Sequence, residues 1–286
     1  MSDPFEPVHA SLRRLPVFFV GGLPRSGTTW MQQLLNAHPE LLCLGESRFA
    51  DDLIPLLYQA MKQYGQKQMD PDRFWAPSVR PPMPEHTGPI FRSAFAALAG
   101  ANIGDKNPDR LVAIGEKTPE NIGALKMLWK AFPGSRFIHI VRDPRDGAVS
   151  GFVRFQRKIP KDFSREKYIA EYSRNWITRI RAVREDSGGS ADYLEVRYED
   201  LHANTGTVAA ELFGFLGAST ASELVAEAVK AASFETLSGG RQQGEEDPAS
   251  HYRLGRAGGW REVLSTAEAE IAAREAGPLL AELDYI

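Results

Sequence analysis

Apolar residues along this chain recur in two rhythms, and the alternation between them predicts the fold. Runs dominated by aliphatic, β-branched and aromatic residues at 17–20, 111–114, 136–141 and 193–196 have the length of buried strands and stop at glycines or charges. A shorter apolar stretch at 41–44 ends on Gly45-Glu46-Ser47, a strand-to-helix junction. Between the runs, spacings of three and four mark helices over 28–38 (Trp30, Met31, Leu34, Leu35), from Leu53 through Met61, and over 91–101, 119–131, 164–184, 204–216 and 219–232. Ser265 and Glu268 have the spacing of a capping box that opens the last helix. Strand, loop and helix repeating in this order predict an α/β fold with a central parallel sheet, right-handed crossovers and helices on its faces. With no internal repeat and no second boundary, residues 1–286 read as a single domain. The proline-rich stretch 70–89 reads as irregular, 64–104 as a lid or acceptor-side insertion, and the glycine-rich 239–259 as a mobile loop.

The chemistry concentrates where strands run out. After Val17-Phe-Phe-Val20 comes Gly22-Leu-Pro-Arg25-Ser26-Gly27-Thr28-Thr29-Trp30, a glycine turn feeding a helix. Unpaired backbone N–H groups and the positive end of the helix dipole then share one concavity, which suits a phosphate-like anion. The glycine pattern is that of a nucleotide loop, but Thr28 stands where nucleoside triphosphate motifs require lysine, and the cation has moved to Arg25. Arg142 and Ser150 flank the turn after 136–141, where a guanidinium and a hydroxyl can reach one phosphate. Arg253-Leu-Gly255-Arg-Ala-Gly258-Gly-Trp260-Arg261 is a glycine-rich basic loop, which by itself reads as a linker or as a phosphate clamp. Glu46 and Lys117 each lie at a strand end, where open α/β sheets place their ligands.

Together these stretches resemble the sulfotransferases that use 3′-phosphoadenosine 5′-phosphosulfate (PAPS), with the Arg25 variant of the loop similar to tyrosylprotein sulfotransferases and bacterial relatives. The resemblance spans residues 17–261 and implies a three-layer, P-loop-like fold and transfer of a sulfonate group to a hydroxyl. It implies that Arg25 contacts the sulfonate, that Ser26, Gly27, Thr28 and Thr29 cradle the 5′-phosphate, and that Trp30 stacks on adenine. Arg142 with Ser150, and later Arg253 with Gly255, would hold the 3′-phosphate of PAPS and of its product, adenosine 3′,5′-bisphosphate (PAP). Glu46 corresponds to the family's base and Lys117 to its catalytic lysine. His86, from a segment where cytosolic members carry a histidine base, is the rival. Leu254 and Gly259 depart from the late loop's usual basic residue and aspartate. Tyr198-Glu199-Asp200 is a family signature that reads as structural.

Composition narrows the partners. The chain has 286 residues, 43% hydrophobic, with a formal charge of −3, a balance that suits a globular protein and argues against a general nucleic-acid binder. The start Met-Ser-Asp-Pro-Phe-Glu-Pro lacks the basic end and apolar core of a signal peptide, and no apolar run reaches membrane-spanning length. The single cysteine, Cys43, excludes an intramolecular disulfide and suits a reducing compartment. The expectation is a cytoplasmic enzyme that needs no metal and takes a small-molecule, carbohydrate or peptide acceptor, without nucleic acid or membrane insertion. Two rivals stand beside it. A P-loop kinase or NTPase would use Asp143 for magnesium, but lacks the loop lysine and has Arg142 beside that acid. A non-catalytic nucleotide-binding regulator would have no use for Glu46 and Lys117.

Overall fold

The computed structural model describes residues 6–70, 72, 87–156, 160, 163–245, 247, 250 and 255–286. In chain order its elements are α1 (Glu6–Leu12), β1 (Val17–Gly21), α2 (Thr28–Ala37), β2 (Leu41–Leu44), a π-turn at Phe49–Leu53 leading into α3 (Ile54–Gln68), α4 (Thr87–Ala101), and β3 (Ala113–Lys117). Then follow α5 (Leu125–Ala131), β4 (Arg136–Val141), α6 (Pro144–Phe155), α7 (Arg165–Ser187), β5 (Tyr193–Arg197), α8 (Tyr198–Ala203), α9 (Thr205–Phe215), α10 (Ser222–Ala231), α11 (Phe234–Ser238), α12 (Thr266–Ala276) and α13 (Leu279–Glu282).

The five strands form one parallel sheet in the order β2-β3-β1-β4-β5. A strand buried on both faces must be apolar throughout, and β1, at the centre, is buried at all five positions. Because successive side chains point to opposite faces, Phe18 and Phe19 enter different cores. Phe19 meets Phe95 and Phe132 on one side, and Phe49 packs on both of these, with ring centroids 5.1 to 5.9 Å apart around the cluster. Phe18 joins Met31, Leu34, Ile138 and Phe213 on the other. From β1 the chain leads to β2 on one side, and from β4 to β5 on the other. The crevice of this open sheet therefore lies over the adjacent carboxyl ends of β1 and β4.

Near the strand ends, two elements differ from the sequence expectation in a way that moves candidate residues or breaks a helix. The run read as 111–114 is a strand at Ala113–Lys117, so Glu116 and Lys117 belong to the strand and not to the turn after it. Gly115, which reads as a stop, sits inside β3 because a Cβ there would lie 2.4 Å from the Phe18 ring. The helix read over 119–131 is a 3₁₀ turn at Pro119–Gly123 followed by α5. Within 64–104, α4 buries Phe91, Phe95, Ala96 and Ala99, so that part is framework; residues 71 and 73–86, His86 among them, lie outside the described residues. Cys43 is buried in β2, and burial pushes its thiol up, as expected of a packed hydrophobe. Among the described residues no helix is long and apolar enough to cross a membrane.

Candidate active site

The loop after β1 is shaped by two left-handed residues, Arg25 at φ 76° and Gly27 at φ 99°. Glycine tolerates that region freely, whereas arginine there is strained, a cost found mainly at functional loops. The close fit around the loop needs its glycines: a Cβ on Gly22 would lie 2.5 Å from the Ile140 carbonyl, and one on Gly27 would lie 2.5 Å from the Tyr198 ring. Gly27 caps α2 with no side-chain hydrogen bond, leaving the first-turn N–H groups at Thr28 and Thr29 without intrahelical partners. Tyr172 holds the loop from behind, its hydroxyl donating to the Pro24 carbonyl at 2.8 Å.

At the end of β4, Arg142 donates to the carbonyls of Arg25 (3.3 Å) and Arg256 (3.0 Å) and lies over the Tyr198 ring at 4.2 Å. It thereby joins the first loop to the late one. Its Nε is buried with no hydrogen-bond partner. Arg25 Nε donates to Ser150 Oγ at 3.0 Å. A hydroxyl that accepts from arginine still has its own proton to give, so Ser150 can donate onward to an anion.

Asp146, one turn beyond Arg142, accepts from the backbone N–H of Gly258 (2.7 Å) and of Trp260 (2.8 Å). Arg145 stacks on Trp260 at 4.0 Å, and His202 Nε2 lies 3.0 Å from the Gly255 carbonyl. The glycine-rich stretch is therefore tied down between residues 255 and 260. Arg253 lies outside the described residues.

The strand ends on the other side of β1 bring the two remaining candidates together. Lys117 closes β3 and Glu46 follows β2; Lys117 Nζ donates to Glu46 Oε1 at 2.7 Å and lies 3.4 Å from Thr29 Oγ1. The lysine side chain is 4% exposed and the carboxylate 55% exposed. A buried cation beside Thr29, paired with an open carboxylate, is an arrangement that can supply charge stabilisation and a proton acceptor side by side.

Arg25, Gly27, Thr28, Thr29, Trp30, Glu46, Arg142, Ser150 and Gly255 all line one cleft of about 400 Å³. Ser26 is buried beneath it, and Lys117 reaches its floor through Glu46 and Thr29. Trp30 makes a T-shaped contact with the Tyr198 ring and donates its indole N–H to the Ala232 carbonyl at 2.9 Å. Phe234, His202, Arg154 and Phe155 also line the cleft and are not marked by any local pattern. Tyr198-Glu199 acquires a physical role. Tyr198 packs under Gly27 and Arg142, while Glu199 accepts from the Asp143 N–H (3.1 Å) and the Tyr285 hydroxyl (2.8 Å), tying the β4 turn to the C-terminal residues. Asp143 points away from the cleft: both its oxygens are taken by Arg145, at 2.8 and 2.9 Å. Among the described residues no three His, Cys, Asp or Glu side chains gather as a metal site would require.

The family model described as "Sulfotransferase family" matches residues 16–222. Protein-tyrosine sulfotransferase 1 of Danio rerio is 35% identical over 193 residues, 65% of this chain and 49% of that protein. Protein-tyrosine sulfotransferase A of Caenorhabditis elegans is 27% identical over 191 residues, 66% of this chain and 46% of that protein. The chain thus spans about half the length of the curated relatives it matches. Among solved structures, retinol dehydratase in a complex with retinol and PAP superposes with a TM-score of 0.53 at 17% identity, covering 97% of this chain and 86% of that one. A mouse sulfotransferase complexed with PAP gives 0.51 at 15% identity, over 93% and 86%. At these identities the structures establish a shared fold.

Proposed function

The chain belongs to the sulfotransferase family, and on that premise we propose that it transfers the sulfonate group of PAPS to an acceptor hydroxyl. The observation that carries the proposal is the convergence, in one cleft, of an uncapped helix N-terminus with Arg25, of Arg142 with Ser150, and of the Lys117–Glu46 pair. A nucleotide with phosphate at both ends calls for two anion sites, and the cleft offers two sets of donors for them. Thr28, Thr29 and the Gly27 turn take the 5′ end. Arg142, Ser150 and Gly255, with Arg253 as a further candidate, take the 3′-phosphate, and Trp30 and Phe234, which both line the cleft, offer the base aromatic surface.

Sulfonate transfer needs an in-line approach and little covalent work from the protein, as phosphoryl transfer does. The acceptor oxygen forms a bond to sulfur as the bond from sulfur to the bridging phosphate oxygen breaks, and PAP departs. Glu46 takes the acceptor's proton. Lys117 and Arg25 offset the negative charge that grows on the bridging oxygen, in a site where burial strengthens them. No metal is part of this proposal. The exposed face of Glu46 is where an acceptor would approach, with Glu120, Arg154 and Phe155 lining the same mouth. A small-molecule, carbohydrate or peptide hydroxyl remains the proposed acceptor, the early part of 64–104 its proposed cover, and the cytoplasm the proposed compartment.

The test needs no knowledge of the acceptor at first. PAP should raise the melting temperature without metal: at about 100 times Kd a ligand selective for the folded state adds roughly 2.7 kcal/mol. That corresponds to several degrees, at about 2–4 °C per kcal/mol for somewhat shorter domains. PAPS turnover over a panel of phenols, tyrosine peptides and sugars then identifies the acceptor. An equal shift with ATP and Mg²⁺ would favour the kinase reading, which the arginine-locked Asp143 otherwise opposes. A PAP shift with no turnover on any acceptor would favour the regulator.

A further inference from the structure

A carboxylate fully buried inside a parallel sheet is costly, since desolvating an ion costs several kcal/mol unless donors surround it. Glu116 is such a group: it is 0% exposed, lies next to Lys117, and by strand alternation points to the opposite face from that lysine. It does not line the cleft. Burial pushes its carboxyl up, countered by hydrogen bonds from Asn121, Thr118 and Ser47. Asn121 Nδ2 donates to Oε1 at 2.9 Å and Thr118 Oγ1 donates to Oε2 at 2.8 Å.

These bonds fix directions further out. Thr118 has given its only hydroxyl proton to Glu116, so it meets its other partner as an acceptor, and that partner is the backbone N–H of Arg48 at 3.2 Å. Arg48 lies two residues beyond Glu46 and is held at φ 51°, a left-handed conformation that a non-glycine residue does not favour alone. Asn121 donates from the same amide nitrogen to the Val20 carbonyl at 3.2 Å, where β1 runs out into the anion loop. One buried carboxylate thus joins the loop carrying Glu46, the strand carrying Lys117 and the strand that delivers Arg25.

We infer that Glu116 and Thr118 form an internal brace that sets Glu46 against Lys117, making Thr118 a positioning residue for the proton-accepting carboxylate. The kinetic consequence rests on the sulfotransferase reading above, whereas the structural one does not. The experiment therefore has two arms on the full chain: hydrogen exchange at the Arg48 amide without ligand, and PAPS turnover with an acceptor from the panel, alongside PAP affinity by calorimetry. Thr118→Val, which keeps the shape and removes the hydroxyl, should speed exchange at Arg48. It should lower kcat about 10- to 100-fold, the scale of a 1 Å misplacement, with PAP affinity within about threefold of wild type. Thr118→Ser should restore both. Glu116→Gln, whose amide would face a donor on one side, should behave as Thr118→Val does; where it fails to fold, the threonine pair decides. Unchanged exchange at Arg48 in Thr118→Val overturns the brace, as does a kcat loss that serine fails to rescue or that PAP affinity follows in parallel. If wild type turns over no acceptor, the proposed activity falls while the exchange arm still decides the brace.

Discussion

Replacing Glu46 by glutamine tests the division of labour in the cleft most directly. The carboxylate accepts from Lys117 at 2.7 Å, yet more than half of it is open to solvent. Glutamine keeps the shape and the hydrogen-bond acceptor but cannot take a proton at neutral pH. Loss of a positioned acid–base group costs about 10²–10⁴ in rate, so turnover of PAPS on a confirmed acceptor should fall by that factor. The nucleotide should notice little, because the residues proposed to hold its phosphates, Thr28, Thr29, Arg142 and Ser150, are untouched, and PAP affinity should stay within a few-fold. Stability should fall by only about 1 kcal/mol, since one partner is half exposed and screened by water. The variant is then still folded at assay temperature. Lys117→Ala should show the same split, with turnover lost and PAP binding kept. The measurements are PAP release under saturating PAPS, calorimetry with PAP, and a melting curve. Near wild-type turnover in Glu46→Gln would refute the assignment of the base and move attention to His86.

Arg142→Ala removes a charge-assisted contact worth about 1.5–3 kcal/mol, so PAP affinity should weaken by about 10- to 100-fold. Adenosine 5′-phosphate should lose less, and a preserved preference for PAP in competition binding would contradict the proposed 3′ site. Gly27→Ala places a Cβ 2.5 Å from the Tyr198 ring at φ 99°. It should weaken PAP binding at least about tenfold, at a strain of roughly 1–2 kcal/mol, read by calorimetry and melting. Outside the cleft lining, hydrogen bonds from Arg165, both at 2.5 Å, hold the buried Glu268 at about 2, below its ordinary 4.5. The unfolded chain binds that proton first as pH falls, so the stabilisation present above pH 4.5 drains away towards pH 2, by about 3 kcal/mol at most. Urea titrations across that window should show wild type losing more stability than Glu268→Gln, and equal losses would show that the pair contributes nothing.

Local pattern alone was enough for much of this molecule. The apolar runs of β1, β4 and β5, the capping box at Ser265 and Glu268, and the order of strand, loop and helix all follow from residues within a few positions of one another, because strand and helix periods are properties of short windows. The anion loop is legible for the same reason: Gly22 to Thr29 are consecutive, and the turn, the cation and the helix start lie in one stretch. The extent of β3 was not legible, since Gly115 and Glu116 look like a turn until the Phe18 ring and the donors at Thr118 and Asn121 surround them. Nor was the grip of the late loop, because Asp146 holds N–H groups more than a hundred residues away. The ion pair of Glu46 with Lys117 joins positions 71 apart, and Tyr198 reaches its place under Gly27 only when β5 lies beside β4. Sequence settled which chemical groups were present and which local shapes they could take. The parallel sheet settled which of them meet, since strands distant in the chain deliver their carboxyl ends to one crevice.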